Sequence, residues 1–233
     1  MALLQRLLPS TRTAALVFAL AVLSTTGHAA DCTVPPGTFL FEPDLPRFVK
    51  RLDDRNDTWP SQLGAALKQA YPAVAVTVVN LGKGGQTAAD MVARFEKDVV
   101  PLSPALVVWE TGTVDAVRNV DLDTFRDSLT TGVAKLLPVS DVVLMDMQFS
   151  RWTHAMIDFE PYEYAMRQIA DLSDIPLFPR NRLMREWSET GEIDYTVKGK
   201  EKRREMARQL YRCLGNALVV FVTRTGESKE TRQ

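Results

Sequence analysis

The stretch of residues 74–115 places the strongest constraint on the fold. It contains two apolar runs, residues 74–79 and 106–109, which are separated by a glycine-rich turn and by a helical pattern over residues 87–100. Two such runs joined by an amphipathic helix form a βαβ unit, which requires a parallel sheet. The loops that follow parallel strands gather at the C-terminal edge of the sheet, and ligand-binding groups lie at that edge. We therefore expect the functional groups of this chain there.

The remaining segments continue this alternation of helices and strands. Residues 217–222 fit either a longer last helix or an edge strand, and residues 45–52 fit a short amphipathic helix. Apolar spacing, prolines and capping residues predict helices over residues 59–70, 121–137, 161–172, 181–188 and 199–214, and strands over residues 141–146 and 175–178. The sequence thus predicts a three-layer α/β/α sandwich around a parallel sheet of about four strands.

Length and composition favour a single globular domain. Hydrophobic residues make up 45% and charged residues 24% of the 233 residues, which excludes a disordered or fibrous chain. Without a leader the chain is long enough for one domain, residues 31–222, and the polar residues 223–233 are expected to form a mobile tail. The net charge of −1 becomes about −3 without the two leader arginines, so nucleic acid is not an expected partner.

The first 30 residues have the pattern of a secretory signal peptide. Arg6 and Arg12 precede a short apolar run at residues 14–23, and small residues follow as far as Ala30. This run is too short for an ordinary membrane span, although an uncleaved anchor is the alternative, and no later stretch approaches the required length. Asp31 stands where lipoprotein processing requires a small residue. We therefore predict cleavage without lipidation and export to the periplasm or the extracellular space.

The chain has only two cysteines, Cys32 and Cys213. In an oxidising compartment such a pair is expected to form a disulfide that closes almost the whole domain, and two buried free thiols are the alternative. Loop closure of this length stabilises the folded state by at most about 4 to 5 kcal/mol.

Three motifs taken together resemble a known family. The turn at residues 80–87 (Asn-Leu-Gly-Lys-Gly-Gly-Gln-Thr), residues 112–115 (Gly-Thr-Val-Asp) and residues 194–197 (Asp-Tyr-Thr-Val) are similar in order and spacing to the second, third and fifth motif blocks of the SGNH, or GDSL-type, hydrolases. The resemblance covers about residues 59–213. It implies a flavodoxin-like α/β/α fold and, in an intact member, serine esterase or acyl hydrolase activity.

The catalytic positions that the resemblance implies are altered in this sequence. Gly85 matches the oxyanion-hole glycine, but Val114 stands where the family has an asparagine whose side chain completes the hole; the loss of one such donor typically costs about 3 to 4 kcal/mol. Asp194 is kept, whereas Val197 stands in place of the base histidine. The family has its nucleophile in a Gly-Asp-Ser motif at the end of the first strand, but no Gly-Asp-Ser precedes the helix at residues 59–70. We interpret this absence as deletion of the first strand together with its nucleophile.

We therefore predict a pseudoenzyme that acts by binding an acylated or glycan ligand, or as a subunit of a larger assembly. The first alternative is an active ester hydrolase with a rearranged centre that uses His154, the only histidine left after the leader. The second is a purely structural envelope protein, which would have no pocket. The binding residues are expected in the glycine turn and in the loops that follow the strands: Gly84, Gly85, Trp109, Asp115, Trp152 and His154.

Other candidate ligand sites have simpler interpretations. The glycines of residues 82–85 are compatible with a phosphate cradle, but a tight turn explains them and Gly-Lys-Ser/Thr is absent. The aspartates of residues 53–57 lack the spacing of a calcium loop. The basic residues of 198–204 are typical of the exposed face of a helix. We expect no cofactor and no metal.

Overall fold

The computed structural model describes Cys32 and residues 58–223. The leader, the helix predicted at residues 45–52 and the tail beyond Thr223 lie outside the described residues. Eight α-helices and three strands alternate along the described part of the chain: α1 (Trp59–Ala70), α2 (Ala88–Asp98), β1 (Leu106–Glu110), α3 (Thr113–Val117), α4 (Leu122–Leu136), β2 (Asp141–Met145), α5 (Arg151–His154), α6 (Glu160–Leu172), β3 (Leu177–Phe178), α7 (Arg180–Glu189) and α8 (Lys200–Thr223).

The three strands form one parallel sheet in the order β1-β2-β3. Leu106 pairs with Asp141 at one end of the β1–β2 ladder and Glu110 pairs with Met145 at the other. Both strand pairs are parallel, which confirms the predicted parallel sheet. The strands predicted at residues 106–109, 141–146 and 175–178 are also confirmed, with boundaries shifted by one or two residues, and each is followed by a helix. The loops after the strands gather at one edge, as the βαβ pattern predicts.

The strand predicted at residues 74–79 is wrong for the described structure. This segment pairs with none of the described strands, and its residues 77–79 line a cavity together with β1. Its side chains are instead held by a helix: Val76 is buried, and Val78 rests against Gly64 of α1, where an added Cβ would lie 3.1 Å from Val78 Cγ2. The described sheet therefore has three strands instead of about four.

Helices cover both faces of the sheet, which confirms the three-layer architecture. Helices α2, α4 and α6 pack on one face, where Val107 and Trp109 of β1 contribute to the core. Helices α1, α7 and α8 pack on the other face, which receives Leu106 and Val108. The alternation of neighbouring side chains between the two cores is the period-two pattern of a strand that is buried on both sides.

Local sequence explains where the helices begin. Thr87 and Asp90 form a capping box at the start of α2, and Asp121 accepts a hydrogen bond from the Thr124 N–H at the start of α4. The short helices α3 and α5 lie in segments that the sequence predicts to be loops. Within the described residues, no helix combines the length and apolarity that a membrane span requires.

Helix α8 resolves the ambiguity at residues 217–222, which continue the helix to Thr223. Its buried stripe packs against α1, and Gly215 allows the close approach, because an added Cβ would lie 2.7 Å from Gln62 Cβ. Cys213 lies on the same stripe and forms the predicted disulfide with Cys32, with their Cα atoms 5.4 Å apart. The bond thus ties Cys32 to the α1–α8 layer.

Candidate binding site

One cavity of about 560 Å³ opens at the C-terminal edge of the sheet. We call it the edge cavity; the glycine turn at residues 82–85, the whole of β1, the start of α1, Gln148 and Arg180 line it. The glycine turn reaches this place because Gly85 adopts a left-handed conformation, with φ at +79°, two residues before the Thr87 cap of α2. The sheet edge where functional groups are expected is therefore open.

An ion pair with one buried partner lies at the polar end of this cavity. Glu110, the last residue of β1, forms an ion pair with Arg180, the first residue of α7, and its second carboxylate oxygen accepts a hydrogen bond of 2.8 Å from Trp59 Nε1. The other guanidinium nitrogen of Arg180, Nη2, donates to Gln148 Oε1 over 3.2 Å. The Arg180 side chain is 2% exposed and that of Glu110 is 36% exposed. Glu110 is thus the member of the pair that a ligand in the cavity can reach.

The turn after β1 is fixed by Gly112. Its φ is +89°, and an added Cβ would lie 3.1 Å from Met166 Sδ and 3.2 Å from Met147 Cγ. Thr113 follows, and its hydroxyl oxygen accepts a hydrogen bond of 3.0 Å from the Gln148 N–H. Next comes Val114, which lines the cavity but has no side-chain donor to offer to an oxyanion.

Asp115 has a structural position. It is 1% exposed, and its two carboxylate oxygens accept the Ala88 N–H at 3.0 and 3.1 Å, at the first turn of α2. Burial raises its pKa, and the backbone hydrogen bonds from Ala88 and its own turn oppose that rise. Because it does not line the edge cavity, the structure places Asp115 beside the site instead of in it.

Trp109 forms part of the cavity wall from within the core. Its ring packs edge-on against Phe95 with the centroids 5.0 Å apart, and its Nε1 lies 3.2 Å from Met91 Sδ. Gly132 of α4 makes room for the indole, since an added Cβ would lie 2.3 Å from it. The side chain is almost fully buried, so its main role is packing.

His154 lies in a different depression. This pocket, of about 600 Å³, is lined by residues 154–160 together with Glu163, Arg167 and Arg185 and is called the histidine pocket below. The imidazole stacks on Phe159 at 5.3 Å, and its Nε2 lies 2.6 Å from Arg185 Nη2. Burial lowers the His154 pKa, and the positive charge of Arg185 lowers it further. His154 therefore does not join Gly84 and Gly85, which line the edge cavity.

The remaining predicted positions lie in other segments of the chain. Trp152 is the second residue of the one-turn helix α5. The carboxylate of Asp194 accepts hydrogen bonds from the backbone N–H and the hydroxyl of Thr196, at 2.8 and 2.6 Å, and these bonds lower the Asp194 pKa. Neither Asp194 nor Val197 lines the cavity. Of the predicted binding set, the structure brings together Gly84, Gly85 and Trp109.

The sequence alone does not predict the polar group of Glu110, Arg180, Gln148 and Trp59. One signal was available, because Glu110 is a charged residue placed directly at the end of a buried apolar run. Asp146, at the corresponding end of β2, was missed as well. It accepts a hydrogen bond of 2.7 Å from the Asn181 N–H, and burial raises its pKa to about 7. The described residues contain no cluster of three or more potential metal ligands.

Together, the parallel sheet, the covering helices and the open C-terminal edge define an α/β protein with the architecture of the SGNH hydrolases. The sequence model of the Non-GDSL lipase-like family matches residues 32–227. The chain belongs to this family, and the resemblance to GDSL-type hydrolases is confirmed. Among curated proteins, a sequence search finds no significant match.

Solved structures show the same fold. The acetylxylan esterase Axe2 from Geobacillus stearothermophilus is similar with a TM-score of 0.55 and 20% identity, over 80% of this chain and 90% of that one. A protein from Parabacteroides merdae described as a putative GDSL-like lipase is similar with a TM-score of 0.58 and 14% identity, over 81% of this chain and 92% of that one. Two solved catalytic mutants of Axe2 replace one histidine and one serine.

Proposed function

We propose that this protein is an exported, non-catalytic member of its family that binds an acylated glycan at the polar end of the edge cavity. The observation that carries the proposal is an open cavity at a site where the residues that an SGNH hydrolase needs for catalysis are replaced. The cavity has Gly85 on one side and Glu110 on the other, yet the residue in the asparagine position is Val114. Binding requires only the cavity, whereas hydrolysis requires the missing groups as well.

The chemistry of the polar end supports a hydroxyl-bearing ligand. The partly exposed Glu110 carboxylate accepts hydrogen bonds, and the Gln148 amide beside it both donates and accepts. The apolar lining that continues along β1 suits a small acyl substituent. That the similar Axe2 structure is an acetylxylan esterase gives independent support for an acetylated sugar as the ligand class. The disulfide between Cys32 and Cys213 supports export.

Binding of acetylated xylo-oligosaccharides to the protein tests the proposal. A wider panel of acetylated oligosaccharides, and the deacetylated form of each, are measured in the same way. We expect saturable binding in titration calorimetry that requires the acetyl groups. Val114→Trp is expected to weaken this binding at least about tenfold, because the new indole fills the cavity. Val117→Trp is the matched control on the same short helix, since Val117 is 52% exposed and does not line the cavity. No saturable binding across the panel, or equal effects of the two variants, would count against the proposal.

The second candidate function is ester hydrolysis with His154 as the base. In its favour, the lowered pKa keeps the imidazole neutral near pH 7, and its Nδ1 has no hydrogen-bond partner among the described residues. Against it, the nearest serine in sequence, Ser150, uses its hydroxyl to cap α5 by accepting from the Thr153 N–H. Turnover of a short-chain chromogenic ester that His154→Ala abolishes would establish this function. Turnover that is absent or unaffected by His154→Ala would exclude it.

A further inference from the structure

The first half of helix α8 and the residues just before it carry a concentration of positive charge. Residues 198–212 contain seven Lys and Arg against two Asp and Glu, a net charge of +5. Residues 58–197 contain 12 Lys and Arg against 19 Asp and Glu, a net charge of −7. The excess positive charge of the described chain is therefore gathered in one segment of an otherwise acidic molecule.

Four of these cations form a row along the helix. They recur every four residues, so each lies about 6 Å from the next along the helix axis, and the row is about 18 Å long. We call them the basic row: Lys200, Arg204, Arg208 and Arg212. All four are exposed, and residues 198–205 are exposed without exception. The described part of the chain therefore leaves the row open to a partner.

The stability of the folded chain does not explain the basic row. Like charges four residues apart repel each other, and cations near the N-terminal end of a helix meet the positive end of its dipole. Glu201 and Glu205 offset part of this repulsion through exposed ion pairs with the arginines of the row at 3.2 to 3.5 Å, and such pairs are weak. Lys200, Lys202 and Arg203 form no ion pair with a described residue. An arrangement that lowers stability in this way is expected where a surface has a function.

The basic row leads to the edge cavity. Tyr211 lines this cavity. Arg204 and Arg208 precede Tyr211 by seven and three positions, which places them on the same side of the helix, and Arg212 follows it directly. A long ligand that contacts the whole row would therefore also pass beside the cavity, whereas a small ion would use only one or two of the charges.

We propose that the basic row binds a linear acidic polysaccharide. Cations at regular spacing match a chain that carries one carboxylate on each sugar residue. Guanidinium groups, which supply three of the four charges, bind carboxylates through two parallel hydrogen bonds. An anionic membrane fits less well, because helices that bind a lipid surface also insert apolar or aromatic side chains, and the large hydrophobic residues exposed in the described structure all lie outside α8.

The proposal goes beyond the proposed function, because it concerns a separate surface and holds whether or not the cavity binds an acylated glycan. Binding of polygalacturonate, a carboxylated polysaccharide without acetyl groups, tests it. The row variant replaces three cations by glutamine, which removes charge and keeps helix propensity: Lys200→Gln, Arg204→Gln and Arg208→Gln. We expect saturable binding to the unchanged protein in titration calorimetry at low salt, and binding at least about tenfold weaker in the row variant.

The matched control removes three exposed cations outside α8: Lys68→Gln, Lys97→Gln and Arg182→Gln. It lowers the net charge by the same amount, so it measures attraction to the molecule as a whole, and we expect a change of at most about twofold. A cooperative melt establishes that each variant folds. Equal weakening by the two triple variants, or no saturable binding of polygalacturonate to the unchanged protein, would overturn the proposal.

Two further titrations separate the basic row from the edge cavity and from other anionic partners. Val114→Trp fills the cavity and is expected to leave the binding of polygalacturonate unchanged; loss of binding in this variant would place the polymer in the cavity and overturn the proposal. Vesicles of phosphatidylserine and phosphatidylcholine, and a short DNA duplex, are titrated under the same conditions. Tighter binding of either than of polygalacturonate would overturn the proposal in favour of a membrane or a nucleic acid.

Discussion

Glu110 and Arg180 form an ion pair at the C-terminal edge of the sheet although 70 positions separate them in the sequence. Glu110 ends β1 and Arg180 begins α7, so the pair joins the first strand to the helix that follows the last one. The Arg180 side chain is almost fully buried and that of Glu110 is partly exposed, which makes Arg180 the support that orients Glu110.

This asymmetry in burial predicts unequal effects of removing either partner. Glu110→Gln leaves the buried Arg180 guanidinium without its carboxylate, and we expect a loss of about 3 to 5 kcal/mol in the free energy of unfolding. Arg180→Met leaves a carboxylate that reaches water and still accepts from Trp59, so its loss is expected to be smaller. Urea denaturation measures both, with Asp123→Asn at the exposed Arg126–Asp123 pair as a control that should change little. Equal losses for the two partners would contradict this account.

Substitutions at two glycines with left-handed backbone conformations, Gly112 and Gly191, distinguish the cost of backbone strain from the cost of steric overlap. At Gly112 an added Cβ meets two methionines and Phe125 at 3.1 to 3.4 Å, whereas at Gly191, with φ at +79°, nothing lies within 4 Å. Gly191→Ala is therefore expected to cost only the conformational strain of about 1 kcal/mol, and Gly112→Ala about 1 to 3 kcal/mol more. Equal thermal shifts for both variants would show that Gly112 is not packed as described.

The disulfide is expected to make a large contribution to stability. It joins residues 181 positions apart, so Cys32→Ser combined with Cys213→Ser should lower the free energy of unfolding by up to about 4 to 5 kcal/mol. A reducing agent should lower the stability of the unchanged protein to the level of the double variant and should leave the double variant unaffected. Insensitivity of the unchanged protein to complete reduction would argue against this contribution.

The buried carboxyl of Asp146 is expected to make stability depend on pH. Burial raises its pKa from 3.8 to about 7, so between these pH values the folded chain retains a proton that the unfolded chain has lost. The free energy of unfolding must then decrease as the pH rises through this window, by an amount on the order of a few kcal/mol. Asp146→Asn keeps an acceptor for the Asn181 N–H and should remove this component of the pH dependence. An unchanged slope between pH 4 and pH 7 in the variant would contradict the assignment.

Periodicity predicted the elements that are buried on both sides. The apolar runs that became β1 and β2, and the capping residues Thr87 and Asp121, carry local signals that tertiary packing reinforces. Residues 74–79 have the same local signal but no ladder in the described structure, because a strand depends on its neighbour as well as on its own residues. The prediction of a strand at residues 74–79 therefore failed, because none of the described strands pairs with this segment.

The sequence indicates where in the fold the candidate site lies but only some of the residues that line it. The glycine turn and the end of β1 both line the edge cavity, which is the edge of the sheet that the βαβ pattern indicates. The ion pair was not predictable, because nothing local links Glu110 to Arg180. Asp115 was assigned to a ligand but accepts the Ala88 N–H, a contact that depends on how α2 and α3 pack.

The most direct test of the central claim, binding without serine catalysis, is reaction of the purified mature protein with an active-site serine phosphonate probe, read by mass spectrometry. We predict no stoichiometric adduct on protein that melts cooperatively, while Axe2 treated in parallel is labelled. Stoichiometric labelling of a single serine would contradict the claim and would identify a rebuilt catalytic centre.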